Sequence, residues 1–203
     1  MPGVTTILSR FKESGGLIHW AWKLGIEGKN YREVRDTAAD AGTIAHEMME
    51  CFVRGREFNP EPFEPRLIEM ARPAFQAFLA WAEGTKLTIV ETEVPLISRV
   101  HRFGGTRDAI LINGRRALGD WKTSNSIYPE YLCQLAAYQI LDEEAGNTID
   151  GGFHLFRFSK QEKPDDPVHF AHHYWDQLDK AKKAFLLMRE LYDHIADLKR
   201  MAK

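Results

Sequence analysis

An Asn113-Gly114 pair separates two runs of strand-forming residues, FGGTRDAILI at 103–112 and RALGDWK at 116–122. Both residues tolerate positive φ, which the tight turns matching the right-handed twist of paired strands require, so this is the strongest short hairpin signal a sequence offers. Ala109, Ile110, Leu111 and Ile112 follow one aspartate, and Ala117, Leu118 and Trp121 surround another. The strands are therefore buried on at least one face. Asp108 and Asp120 then lie on adjoining strands of a covered sheet, where a carboxylate is costly unless paired or metal-bound.

Asp120 and Lys122 occupy alternate positions of one strand, so both side chains project from the same face, about 6.5–7 Å apart. A carboxylate able to hold a cation thus stands beside an ammonium able to hold, or help deprotonate, a water. Asp108 reaches the same point if the register sets it across from Asp120. Two hard oxygen donors on rigid strands suit Mg²⁺ or Mn²⁺, which keep several waters and accept phosphate oxygens. Alone, an Asp-x-Lys triplet also fits an exposed, salt-bridged edge. Gln134 and Tyr138 lie four apart in the apolar run after Pro129, so they share one helix face and can point at one place.

The remaining elements follow from periodicity. Residues 1–30 predict one or two short helices closed by glycines, with Trp20 and Trp22 as core or lid packing or as base-stacking groups. Tyr31 to Val53 predicts a helix with an apolar stripe of Ala41, Ala45, Met48, Met49 and Phe52, breakable at Gly42-Thr43. His46 sits at the edge of that stripe, where it fits either a structural histidine or a ligand. Arg66 to Trp81 predicts a helix with Pro73 as its kink or start, and Leu87 to Val100 a strand bent or bulged near Pro95. Tyr131 to Ala145 is helical, Gly152 to Phe158 a fourth strand, QEKPDD a charged turn and Val168 to Tyr174 a fifth strand. Trp175 to Lys199 reads as a long amphipathic helix with Leu178, Ala181, Phe185, Met188, Leu191, Tyr192 and Ile195 inward.

With 203 residues, 44% of them hydrophobic, the chain is expected to form one globular α/β unit. It would comprise a mainly helical region at 1–84, a sheet core with the active site at 85–175 and a carboxy-terminal helix at 175–203. A net charge of -2 argues against a generic nucleic-acid coat, although a carboxylate-bearing site is compatible with a local basic groove. Two cysteines, Cys51 and Cys133, are too few for a four-thiolate cluster and fit small buried hydrophobes. The amino terminus lacks an apolar signal region and no run of about 18 apolar residues occurs, so a soluble, cytoplasmic protein without a membrane is expected.

Four motifs in order carry a family likeness: Gly42-Thr43-x-x-His46, Gly105-x-x-Asp108, Gly119-Asp120-Trp121-Lys122-Thr123-Ser124 and Gln134-x-x-x-Tyr138. Together they resemble the RecB/Cas4-like branch of the PD-(D/E)XK nuclease superfamily, which includes many phage-type exonucleases. The resemblance covers Gly42 to Tyr138. It implies a restriction-endonuclease-like core, a central mixed sheet flanked by helices, with the helix bearing His46 beside the hairpin. It further implies that His46, Asp108, Asp120 and the backbone carbonyl of Trp121 hold a metal, that Lys122 orients the attacking water, and that Gln134 and Tyr138 support the site. Glu93, on the preceding strand, is a candidate further ligand or a solvated strand residue. The chain departs from the cysteine-cluster members, so Mg²⁺ or Mn²⁺ and no iron–sulfur cluster is expected.

The function implied is metal-dependent DNA hydrolysis, an exonuclease in recombination, repair or replication. The alternatives are a non-catalytic DNA-binding accessory protein and a structure-specific endonuclease. DNA is the expected partner, with a recombinase, a single-strand-binding protein or a helicase as protein partners. Arg99, Arg102, Arg107, Arg115 and Arg116, together with Ser124, are candidate DNA contacts, though each arginine equally fits a solvated surface. His154, His169, His172 and His173 fit ordinary strand positions better than a second metal site.

Overall fold

The computed structural model of the chain describes residues 1–12, 14–124, 126–159 and 170–202. A five-stranded sheet of order β1-β2-β3-β4-β5 is its centre: β1 (Thr88–Ser98), β2 (Phe103–Ile112), β3 (Arg116–Lys122), β4 (Phe153–Phe158) and β5 (Phe170–Trp175). β1, β2 and β3 form an antiparallel meander, and β4 pairs antiparallel with β5. Between them β3 and β4 run parallel. A parallel pair needs a crossover, and α5 (Pro129–Glu144) supplies it. This is the expected α/β architecture, a mixed sheet flanked by helices.

Two apolar layers hold the sheet between helices. On one face α1 (Val4–Leu8), α5 and α6 (Asp179–Met201) bury Ile7, Leu135, Leu141 and Phe185 against Ile110, Leu118 and Leu155. On the other, α3 (Tyr31–Val53) and α4 (Pro65–Gly84) bury Met49 and Phe78 against Leu111, Trp121, Phe156 and Phe158. Phe78 meets Trp121 and Phe158 edge-on at 5.7 Å, the geometry favoured by the ring quadrupoles. α2 (Gly15–Ile26) lies against α3 and leaves Ile18, Trp22 and Ile26 exposed, while Trp20 is half-buried.

Several expectations need correction. Gly42-Thr43 does not break α3; the Thr43 hydroxyl donates to the Ala39 carbonyl at 3.2 Å within a continuous helix. Gly15 and Gly16 open α2 rather than close the helix before it. α4 begins at Pro65, in the first turn where a missing N–H costs nothing, and runs on through Pro73. Pro95 pairs with Thr106 with no shift of register, since β1 is an edge strand, where proline is tolerated; the register shift falls between Ile89 and Glu91. On α6, Leu191 is exposed and Arg189 is buried, donating to the Arg102 carbonyl at 3.0 Å. The QEKPDD turn, Val168 and His169 lie outside the described residues. Cys51 and Cys133 are free and buried. Among the described residues no helix is long and apolar enough to cross a membrane.

Candidate metal centre

The site forms where the β2–β3 ladder opens. Pairing runs from Ile112↔Arg116 to Ala109↔Gly119 and stops. At the next step Asp108 turns its side chain into the fork, and its Oδ2 accepts the backbone N–H of Trp121 at 2.9 Å. A carboxylate thus takes the place of the missing ladder carbonyl. Asp108 is held on a rigid strand and partly neutralised by a donor that stays buried.

β1 breaks its regularity at the same level. Thr92 pairs with Ala109 and Val94 with Arg107, so Glu93 stands opposite Asp108, and its φ of 50° lies in the left-handed region that only glycine enters freely. Side-chain alternation is interrupted here on both strands. Gly105 lies under Tyr138 of α5, whereas Ala109 belongs to the layer covered by α3 and α4. Leu96 packs with the α5 side, whereas Thr92 accepts from Arg54 at the end of α3. Glu93 and Asp108 are thereby aimed at α3, and donor atoms of His46, Glu93 and Asp108 all come within 4.8 Å of one another. They line a cleft of about 570 Å³ together with Thr43, Glu50 and Thr123.

Asp120 sits behind this trio. It is wholly buried, and Lys122 Nζ is 2.6 Å from its Oδ2. The contact is an ion pair without hydrogen-bond alignment, since neither Asp120 oxygen has a hydrogen-bond partner. Burial pushes the Asp120 carboxyl up and Asp108 adds to this, while Lys122 opposes it. Burial alone would push Lys122 down, but Asp120 and Asp108 more than offset it and its ammonium is held above the ordinary value. The face of Tyr131 lies 5.1 Å from Lys122 Nζ and gives that cation a second support.

From α5, Gln134 Nε2 donates to the Tyr138 hydroxyl at 2.8 Å. Burial, then the nearby Asp108 and Asp120 carboxylates, push the Tyr138 phenol far up, so it stays a neutral donor. The motif glycine at 105 has a steric cause: a Cβ there would stand 3.0 Å from Tyr138 Cε1 and from Val4 Cγ2.

His46, Glu93 and Asp108 therefore meet, and Asp120, Lys122, Trp121, Gln134 and Tyr138 adjoin them. Glu93 faces the cleft with its carboxyl pushed up to about 7 by burial, then by Asp108 and Glu50, with Arg54 and Lys122 pulling the other way. The DNA-contact candidates fare less well. Arg107 is 1% exposed and ion-paired to Asp142 and Glu91, so it has no surface to offer a phosphate. Arg116 is ion-paired to Glu91 in the same group. Arg102 is exposed but lines a separate groove with Lys183 and Arg189, six positions or about 20 Å of extended strand from Asp108. Ser124 spends its hydroxyl on the Ser126 carbonyl at 2.7 Å. His154 and His172 hydrogen-bond each other through ring nitrogens at 2.8 Å.

Sequence reasoning missed Glu50, which ion-pairs with Arg54 at 2.9 Å and with Arg56 at 3.0 Å on the cleft wall. Its position one turn beyond His46 on α3 was the available signal.

The chemistry of this donor set fits a divalent cation. Two carboxylates and an imidazole converge from three elements, with the buried Asp120–Lys122 ion pair behind them. Hard oxygen donors joined by one imidazole are a set such a cation takes.

No protein-family model matches the chain, and no curated protein matches it. Among solved structures, SSO0001 is similar at 18% identity and a TM-score of 0.37, over 62% of this chain and 59% of that one, so the chain spans about three-fifths of its length. The alkaline exonuclease LHK-Exo from Laribacter hongkongensis is similar at 18% identity, with 81% of this chain and 90% of that chain covered and a TM-score of 0.39. LHK-Exo in complex with dAMP gives 17%, 82%, 90% and 0.42. At these identities and scores the likeness assigns no activity to this chain.

Proposed function

We propose that this protein is a Mg²⁺- or Mn²⁺-dependent deoxyribonuclease of the PD-(D/E)XK type that hydrolyses phosphodiester bonds from DNA ends. The observation that carries the proposal is the meeting of His46, Glu93 and Asp108 in one cleft beside the buried Asp120–Lys122 pair. The four ordered motifs support the same reading, because each supplies a residue of this one place. His46, Glu93, Asp108 and Asp120, with the Trp121 carbonyl, are the groups that would hold the cation. A cation held there supplies Lewis-acid polarisation of the phosphate and a more acidic water.

The protein's own residues do the rest. Lys122 is protonated at neutral pH, so it acts as a donor that holds the attacking water or a phosphate oxygen and does not act as a base. Its position is fixed from one side by Asp120 and from the other by the face of Tyr131. Tyr138, neutral and hydrogen-bonded to Gln134, shields the carboxylates from bulk water and keeps their field strong.

The test is degradation of end-labelled linear and closed circular DNA with Mg²⁺ or Mn²⁺, comparing the wild type with Asp120→Ala and Lys122→Ala. Loss of cleavage by about 10²–10³-fold or more in both variants is expected, as for removal of a preorganised charge in other active sites. Undiminished cleavage by either variant overturns the assignment. Cutting of closed circles would replace the exonuclease mode with an endonuclease one.

A further inference from the structure

Arg107 and Asp142 form a charge pair with almost no contact with solvent, 1% and 0% exposed, with Arg107 Nε 2.9 Å from Asp142 Oδ2. Arg107 Nη2 also reaches Glu91 Oε2 at 2.6 Å, and Arg116 Nη2 joins the other Glu91 oxygen at 2.8 Å. Asn147 Nδ2 donates to Asp142 Oδ1 at 3.2 Å. The group is expensive: Arg107 Nη1 is buried with no hydrogen-bond partner, and the Arg107–Asp142 contact is not an aligned hydrogen bond. Desolvating such a pair often cancels its Coulombic gain, so stability alone is a poor reason for it.

Its placement suggests another reason. Asp142 is the third member of a single face of α5, following Gln134 and Tyr138 at four-residue steps. α5 therefore meets β2 twice with different chemistry: the Tyr138 ring presses on Gly105, and Asp142 grips Arg107. Asp108 is the next residue. A steric stop and an ionic grip one helical turn apart fix both the rotation and the slide of α5 along the strand. Arg107 also sits at the step where β2 loses its alternation, directed to α5 while Asp108 turns into the cleft with His46 and Glu93.

We propose that Arg107 and Asp142 are positioning residues of the metal centre, and that their buried pair holds β2 in the irregular conformation that aims Asp108 at the cation. The proposal rests on the metal-site reading above. A β2 released from α5 is free to restore regular alternation, which would swing Asp108 away from His46 and Glu93.

The experiment is calorimetric titration of Mn²⁺ into the full chain, with thermal unfolding as the parallel readout. The variant R107M/D142L removes both charges at similar volume. It is expected to melt at or above the wild-type temperature, because well-packed apolar replacements of buried pairs are often neutral or stabilising. It should nevertheless bind Mn²⁺ about tenfold or more weaker, the usual cost of losing groups that orient ligands. R107K keeps the buried charge but loses the two-pronged fork, so it should be weakened in the same direction; it decides the matter if the double variant does not fold. The surface pair Lys182–Glu143, which joins α6 to the same helix α5, is the control, and K182M/E143L should bind as wild type. Mn²⁺ affinity within twofold of wild type in a folded R107M/D142L, or in R107K, overturns the positioning role. Absence of Mn²⁺ uptake by the wild type overturns the metal site itself, and the positioning role with it.

Discussion

Asp108 and Trp121 are joined by a 2.9 Å hydrogen bond from backbone N–H to carboxylate, at the first step where β2 and β3 no longer pair. The bond makes one side chain serve two ends, closing the fork and presenting a charge to the cleft. The two roles separate on substitution. Asp108→Asn keeps an acceptor for Trp121 and removes one of several crowded negative charges, so the metal-free protein should unfold in urea at or above the wild-type midpoint while Mn²⁺ uptake is lost. Asp108→Ala also leaves the Trp121 N–H unpaired, and should be about 1–3 kcal/mol less stable than Asp108→Asn.

Glu93 gives the site a pH dependence of definite sign. Its carboxyl is pushed from an ordinary 4.5 up to about 7, so between these values the folded chain keeps a proton that the unfolded chain has lost. The stability it contributes is fully present below 4.5 and is lost as pH rises through 7. A cation held there would displace that proton, so Mn²⁺ affinity should climb with pH through 7, at a slope of up to about tenfold per pH unit for each proton displaced. Titration at pH 6, 7 and 8 checks this. Glu93→Gln should be weaker throughout and show a shallower slope.

Gly105→Ala tests the packing of α5 on the sheet. The added Cβ meets Tyr138 Cε1 and Val4 Cγ2 at 3.0 Å, and one of them must yield. A cost of about 1–3 kcal/mol in urea unfolding is expected, as for overpacking elsewhere. The displaced Tyr138 should also weaken Mn²⁺ binding, which Gly84→Ala, with open space around its Cβ and no positive φ, should not.

Beyond the cleft, His154 predicts acid sensitivity of the β4–β5 edge. Burial, then the neighbouring His172, push its pKa down to about 4 from 6.5, so the folded state holds it neutral where the unfolded chain would be protonated. Its contribution is present above 6.5 and is lost as pH falls toward 4. Other groups packed nearby, His172 and the Tyr174 hydroxyl, offer no carboxylate to hold a charged ring. His154→Phe should flatten the pH dependence of the melting temperature across pH 4–6.5, by about 2 kcal/mol in unfolding free energy.

Local chemistry made much of this molecule legible in its residues. Asn113-Gly114 marked the hairpin, and the alternation and periodicity around it predicted both strands, α3, α4, α5 and α6 close to where they lie. Gln134 and Tyr138 shared a face as their spacing required, and they hydrogen-bond each other. What stayed hidden depended on distant partners. Arg107 read as a surface charge because Asp142, which buries it, lies 35 positions away on another element. Glu93 looked equally suited to solvent because nothing in TIVETEV announces a positive φ or a lost alternation. Arg102 and Arg107 are alike in sequence and opposite in exposure, a difference set by how β2 packs rather than by composition.

Position 93 records where folding and chemistry compete for one residue. Holding a glutamate at a φ of 50° costs about 1 kcal/mol or more that glycine would not incur. A chain shaped only for robustness would carry glycine there, relaxing the strand and removing a carboxylate from a crowded acidic cleft. A hardier version of this protein is therefore reached by losing one of its proposed ligands, and selection for thermal endurance alone would cost the cleft a carboxylate before it disturbed the sheet.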